Sequence, residues 1–154
     1  MELVEATSYV LHSVFAGLWT GTVLFVAFGV LPLARRGELN AAPLRHIAQS
    51  LRRISRLSAL VLFATGSYMA AAVHTGDTLT GTLGGQLVLV MLGLWAVLIG
   101  TVEIAGSKLQ KGTTRDKVRA PGREAWRVLL VAAVTALLLL VVSGLLSARS
   151  SGFL

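Results

Sequence analysis

The stretch that decides the fold is SYVLHSVFAGLWTGTVLFVAFGVLPLARR, residues 8–36, which holds no charged side chain until Arg35. A membrane-spanning helix needs about 20 mostly apolar residues, and this run is long enough to cross with some tilt. Pro32 and the arginines that follow it close the span, predicted over about 8–34. A cleavable leader carries its positive charge ahead of the apolar run. Here Glu2 and Glu5 come first and the arginines last, so the segment reads as a retained anchor.

Three further runs of similar character follow, at about 57–74, 85–107 and 128–148. With 55% hydrophobic and 14% charged residues, the composition is too apolar for an ordinary water-soluble domain. The runs are continuous in Leu, Val and Ala, without the alternation that a membrane barrel requires. The expected fold class is therefore all-α, a four-transmembrane-helix bundle occupying residues 1–154 as one integral membrane domain. The absence of cysteine excludes disulfides, thiolate zinc sites, iron–sulfur clusters and thiolate copper sites.

Of the 14 Lys and Arg residues, all but Arg149 fall between runs one and two or between runs three and four. The opposite side carries Glu2, Glu5 and Asp77. The positive-inside rule then predicts both termini outside and both basic connections in the cytoplasm, in a multi-pass protein of the cell membrane. A net charge of +7 also raises nucleic acid as a partner. Charges confined to short juxtamembrane loops point instead to topology and to anionic lipid headgroups, so nucleic acid is not an expected partner.

The first connection has its own pattern. Asn40 is placed as an N-cap and Pro43 falls in a first turn, after which Leu44, Ile47, Leu51 and Ile54 recur at helical spacing. The spacing predicts an amphipathic helix over 41–56 that runs on into the second span, with Arg45, Arg52, Arg53 and Arg56 facing the headgroups. The second connection contains Gly112, Pro121 and Gly122 and is expected to be irregular.

Weak internal similarity relates the halves. Gly17, Leu18 and Trp19 recur as Gly93, Leu94 and Trp95, and Thr65–Gly66 resembles Ser143–Gly144. This suggests a tandem repeat of a helical hairpin, against the alternative that common membrane residues coincide by chance. Gly17 and Gly21, like Gly66 and Ala70, stand four apart, a spacing that suits close helix packing.

Ionisable or soft polar side chains within a span are candidates for function. His12 lies just inside the outer end of span one, on roughly one face with Tyr9, Ala16 and Trp19. Its imidazole either ligates a metal or haem iron, or hydrogen-bonds a neighbouring helix. His74 ends span two on the same side and reads as a solvated helix-end histidine or as a partner of His12. Met91, at nearly the depth of His12 in span three, is a packing residue or a thioether donor for Cu(I). Glu103, near the cytoplasmic end of that span, reads as an ion-pairing residue with Lys108, Arg56 or Arg127 in reach. Nucleotide-binding glycine loops, paired membrane carboxylates and the His-Glu-x-x-His zinc motif are missing.

The segment LHSVFAGLWTGTVLF, residues 11–25, resembles the first helix of the copper-resistance protein D (CopD) domain family, with His12, Trp19 and Gly21 matching a histidine followed by a Trp-x-Gly element. RISRLSALVLFATGSYMA, residues 53–70, is similar to the family's second helix. The run from Trp126 to Ser147 is similar to its fourth. In the third helix Met91 stands where the family often carries a lysine, which is also a feature of the related HemJ-type haem proteins. The resemblance implies copper uptake, homeostasis or transport, with His12, Met91 and His74 as candidate ligands. Its alternatives are a haem b protein with His12 as axial ligand, and a non-catalytic membrane subunit. A homodimer or a partner within a membrane complex is compatible with each.

Overall fold

The computed structural model describes residues 2–115 and 117–151. Among them every regular element is helical. Helix α1 (Glu2–Leu24) passes through a wider π-helical turn (Phe25–Val30) into α2 (Leu31–Arg36), so the first span is one rod. The wide turn has a covalent cause. Pro32 offers no N–H and its ring crowds the carbonyl one turn earlier. The chain relaxes by an i→i−5 bond from the Leu31 N–H to the Val26 carbonyl. Gly37, at φ 79°, then terminates α2: its N–H bonds to Ala34 O at 3.1 Å and the Glu38 N–H to Leu33 O at 3.0 Å.

Helix α3 (Ala41–Val73) is unbroken from the amphipathic segment into the second span. Asn40 occupies the N-cap position, but its side chain makes no capping bond. A short helix α4 (Gly76–Gly81) is opened by a reciprocal Thr75/Thr78 capping box. Thr82 caps α5 (Leu83–Thr113), accepting from the Gly85 N–H at 3.1 Å, and α6 is Arg119–Ser150. The connection expected to be irregular is thus mostly helix. Pro121 stands in the first turn of α6, where a missing N–H forfeits no intrahelical bond. Its ring packs against Gly112, where any side chain would collide with it.

The four long helices, each able to cross a bilayer by length and composition, form a multi-pass membrane bundle. Around it α1 packs on α3, α3 on α5 and α5 on α6, while α2 and the end of α1 close the ring against α6. Small residues set the spacing at the basic-loop end: Ala27, Ala34, Ala48, Ala105, Ala125, Ala132, Ala133 and Ala136 are all buried. That suits an environment where lipid tails are as apolar as Leu and only close backbone approach holds helices together.

The tight core therefore lies toward the basic loops, from Trp19 to Ala34 on the first rod and from Leu98 to Leu109 on α5. Toward the chain termini more apolar surface faces outward. Gly17 and Gly21 do not perform the close packing their spacing suggests: both are exposed and have open space where a Cβ would stand. The two Gly-Leu-Trp triplets also differ in use. Trp19 is buried in the core, whereas the Trp95 indole donates to Ala59 O at 3.2 Å and packs beside Phe63.

At Gly122 the start of α6 meets the backbone of α2: a Cβ there would stand 3.3 Å from the Arg35 backbone nitrogen and 3.4 Å from the Ala34 carbonyl carbon. Backbone cannot swing aside as a side chain can. Gly122→Val is expected to cost about 1–3 kcal/mol, read as a lowered thermal unfolding midpoint of the detergent-solubilised protein. Gly17→Ala and Gly21→Ala should leave that midpoint unchanged.

Candidate functional site

His12 is half-buried where α1 crosses α3. Two residues of α3 hold it: Thr65 by a hydrogen bond of 2.8 Å to Nδ1, and Gly66, where a Cβ would stand 3.1 Å from the ring carbon Cε1. Only glycine lets the imidazole lie this close to the helix. The same hydroxyl lies 2.7 Å from Val61 O. When its one proton goes to that carbonyl it accepts from the His12 Nδ1–H and the Nε2 lone pair is left free; when the proton goes to the imidazole, Nδ1 accepts and Nε2 carries the hydrogen. Among the described residues no hydrogen bond reaches Nε2. The first of these tautomers is the arrangement that orients metal-binding histidines, in which one nitrogen is tied to a fixed acceptor and the other is left to coordinate.

His74 is not brought to His12. It caps α3 eight residues beyond Gly66, a rise of about 12 Å, and its Nε2 lies over Gly84 at the start of α5. The Arg149 guanidinium approaches the same glycine, and its positive charge opposes a cation there. Its Nδ1 is enclosed without a hydrogen-bond partner, so the ring is not the freely solvated helix end that its position suggests. Met91 is half-buried on α5, one turn from Trp95 and on the same face, which packs on α3 through Ala59 and Phe63. Since α1 and α5 do not pack along each other, His12 and Met91 belong to opposite helices of the ring. Among the described residues no group of three or more His, Asp or Glu converges as a metal cage would require.

A second polar constellation joins α3 to α5 nearer the basic loops. Arg52 donates from Nε and Nη2 to Glu103 Oε2 at 3.1 and 2.9 Å, and from Nη1 to Gln110 Oε1 at 2.7 Å. Arg56 donates from Nε to Oε1 at 2.7 Å and from Nη2 to Oε2 at 2.9 Å of the same carboxylate. Glu103 is thus the ion-pairing residue its position suggests, with Arg56 and Arg52 as its partners rather than Lys108 or Arg127.

The Arg52 stem crosses Gly106, where a Cβ would stand 2.5 Å from Cγ, so the missing side chain is what admits it. Of the four arginines expected to face headgroups, Arg53 is exposed, Arg45 is half-buried and Arg56 keeps 60% of its side chain accessible. Arg52, at 25%, turns inward instead, because a carboxylate and an amide on the neighbouring helix give each of its three guanidinium nitrogens an acceptor. Gln110 and Gly106 carried a readable signal: with Glu103 they recur at helical spacing on one stripe of α5.

No family model, curated protein or solved structure compared with this chain matches it.

The Glu103 cluster neutralises one carboxylate with two guanidinium groups at a partly screened site. Glu103→Gln should therefore destabilise the bundle by only about 1 kcal/mol, seen as a lower unfolding midpoint. Arg52→Gln is expected to lose more than Arg56→Gln, since only Arg52 also holds Gln110.

Proposed function

We propose that this protein is a CopD-like membrane protein of copper uptake or homeostasis, in which His12 Nε2 receives the ion within the bundle. The observation that supports this reading is the Thr65 clamp, because in the tautomer with the proton on Nδ1 it orients the ring and leaves the Nε2 lone pair to coordinate. A neutral imidazole suits copper, and the thioether of Met91 suits its reduced form. His12 is the primary ligand; Met91, on the opposite helix of the ring and on its α3-facing side, does not share its coordination shell. His74 takes a lesser part because of the neighbouring arginine. The basic connections lie in the cytoplasm, following the bias of Lys and Arg toward one end of the bundle, so His12 is nearer the outer face of the cell membrane. The exposed Gly17 and Gly21 leave the first span free to meet a second copy or a membrane partner.

A second reading rests on the same geometry. One oriented histidine, with no cage of further donors among the described residues, is also what an axial haem ligand needs. In that case His12 would hold a haem b iron and Thr65 would fix the plane of the imidazole.

Metal analysis and an absorption spectrum of the purified protein separate the two. The copper reading expects Cu(I) binding in competition with a chromophoric chelator and no Soret band after haem is added. His12→Ala should abolish that binding. Thr65→Val, which removes the acceptor and leaves the ligand, should weaken it by about 10- to 100-fold. Unchanged copper binding and cellular copper content in His12→Ala would overturn the copper reading, whereas a Soret band lost in the same variant would establish the haem reading.

A further inference from the structure

At the basic-loop end, α2 and the first turns of α6 enclose a cleft of about 280 Å³ lined by Pro32, Arg35, Arg36 and Arg123. Three of its four walls are guanidinium-bearing and, among the described residues, no carboxylate lines it. Glu38, 4.0 Å from Arg36 across two largely exposed side chains, is too far and too wet to neutralise the group.

The surrounding surface is rich in positive charge, with Glu124 the one acid in the first two turns of α6. Arg119, Arg123 and Arg127 follow one another at four-residue spacing along the start of α6, so each repels the next. Arg119 stands in the first turn of α6, where the helix dipole already favours negative charge. Gly122 brings this end of α6 against the backbone at Ala34 and Arg35.

One arm of the cleft is held in advance. The Arg35 guanidinium lies over the Trp126 ring, 4.5 Å from its centroid. That stacking limits the freedom an arginine ordinarily loses on binding. Trp126 also marks depth. It precedes the apolar run beginning at Val128, as tryptophans do at the headgroup level of a membrane protein. Pro32 belongs to the first span and gives the cleft an apolar floor on its membrane side.

We propose that this cleft binds the phosphate of an anionic phospholipid, with Arg35, Arg36 and Arg123 around the phosphate oxygens and the acyl chains continuing along the membrane face of the bundle. The guanidinium fork matches the oxygens of a phosphate diester. The interfacial depth selects a lipid over a soluble anion. The site lies apart from His12 and does not depend on what His12 binds.

The test uses the full chain, purified in detergent and presented with equimolar phosphatidylglycerol and phosphatidylcholine, with retained lipid read by native mass spectrometry. Phosphatidylglycerol should be retained in preference. Arg36→Gln combined with Arg123→Gln should lower its retention by about fivefold for each charge removed. The corresponding double lysine variant, which keeps the charge and loses the fork, should fall between the two and guards against a folding defect. Arg45→Gln with Arg53→Gln, which removes the same charge from headgroup-facing residues outside the cleft, should lower retention by less. Wild-type retention in the double glutamine variant would overturn the proposal, as would an equal loss in the Arg45/Arg53 control. Displacement of the lipid by inorganic phosphate at matched concentration would likewise overturn it, by assigning the cleft to a free anion.

Discussion

A polar group inside a bilayer has no water to turn to, and that constraint organises this molecule. Each polar side chain drawn into a span either finds a partner on its own helix, finds one on the next helix, or remains unpaired at a cost of about 1–3 kcal/mol. Thr22 and Thr101 take the first course, bonding back to the carbonyls of Leu18 and Val97. His12, Trp95 and Arg52 take the second, and in each case the receiving helix is α3 or is bonded from it. Helix α3 thus connects α1 to α5 by directional bonds as well as by packing. Ser55, Ser58 and Trp19 show the third outcome, with buried polar atoms that have no protein partner.

Glycine makes these contacts geometrically feasible, at positions chosen by what lies opposite. Gly66 admits the His12 ring, Gly106 the stem of Arg52, Gly112 the ring of Pro121 and Gly122 the backbone at Arg35. Three of these four lie toward the basic-loop end, where the alanine-lined core is tightest. The terminal end relies less on close approach, and there the apolar side chains face outward in greater number. The histidine ring is seated against Thr65 and Gly66 yet remains half-exposed.

Much of the architecture was legible in the chain because it follows from solvent. Four apolar runs of spanning length leave few alternatives to a helical bundle. The irregular connection predicted from Gly112, Pro121 and Gly122 was misread for a local reason: a proline is a breaker inside a helix but a starter in its first turn, and only the position of the turn distinguishes them. The Gly17–Gly21 spacing was likewise ambiguous, since a pair of glycines on a helix does not say which way its face points. His12 was recognisable as an unusual residue from its place in an apolar run. Which residue would hold its ring could not be read there, because that partner is a hydroxyl 53 positions away in the chain.

By itself the sequence determined the solvent, the helical class and the segregation of positive charge to one end, since each follows from composition and the reach of a helix across hydrocarbon. The tertiary structure decided the pairings: His12 with Thr65, Arg52 with Glu103 and Gln110, and Arg35 with Trp126. Such pairings join residues far apart in the chain, and they are settled by helix rotation and neighbour order, which no local periodicity encodes.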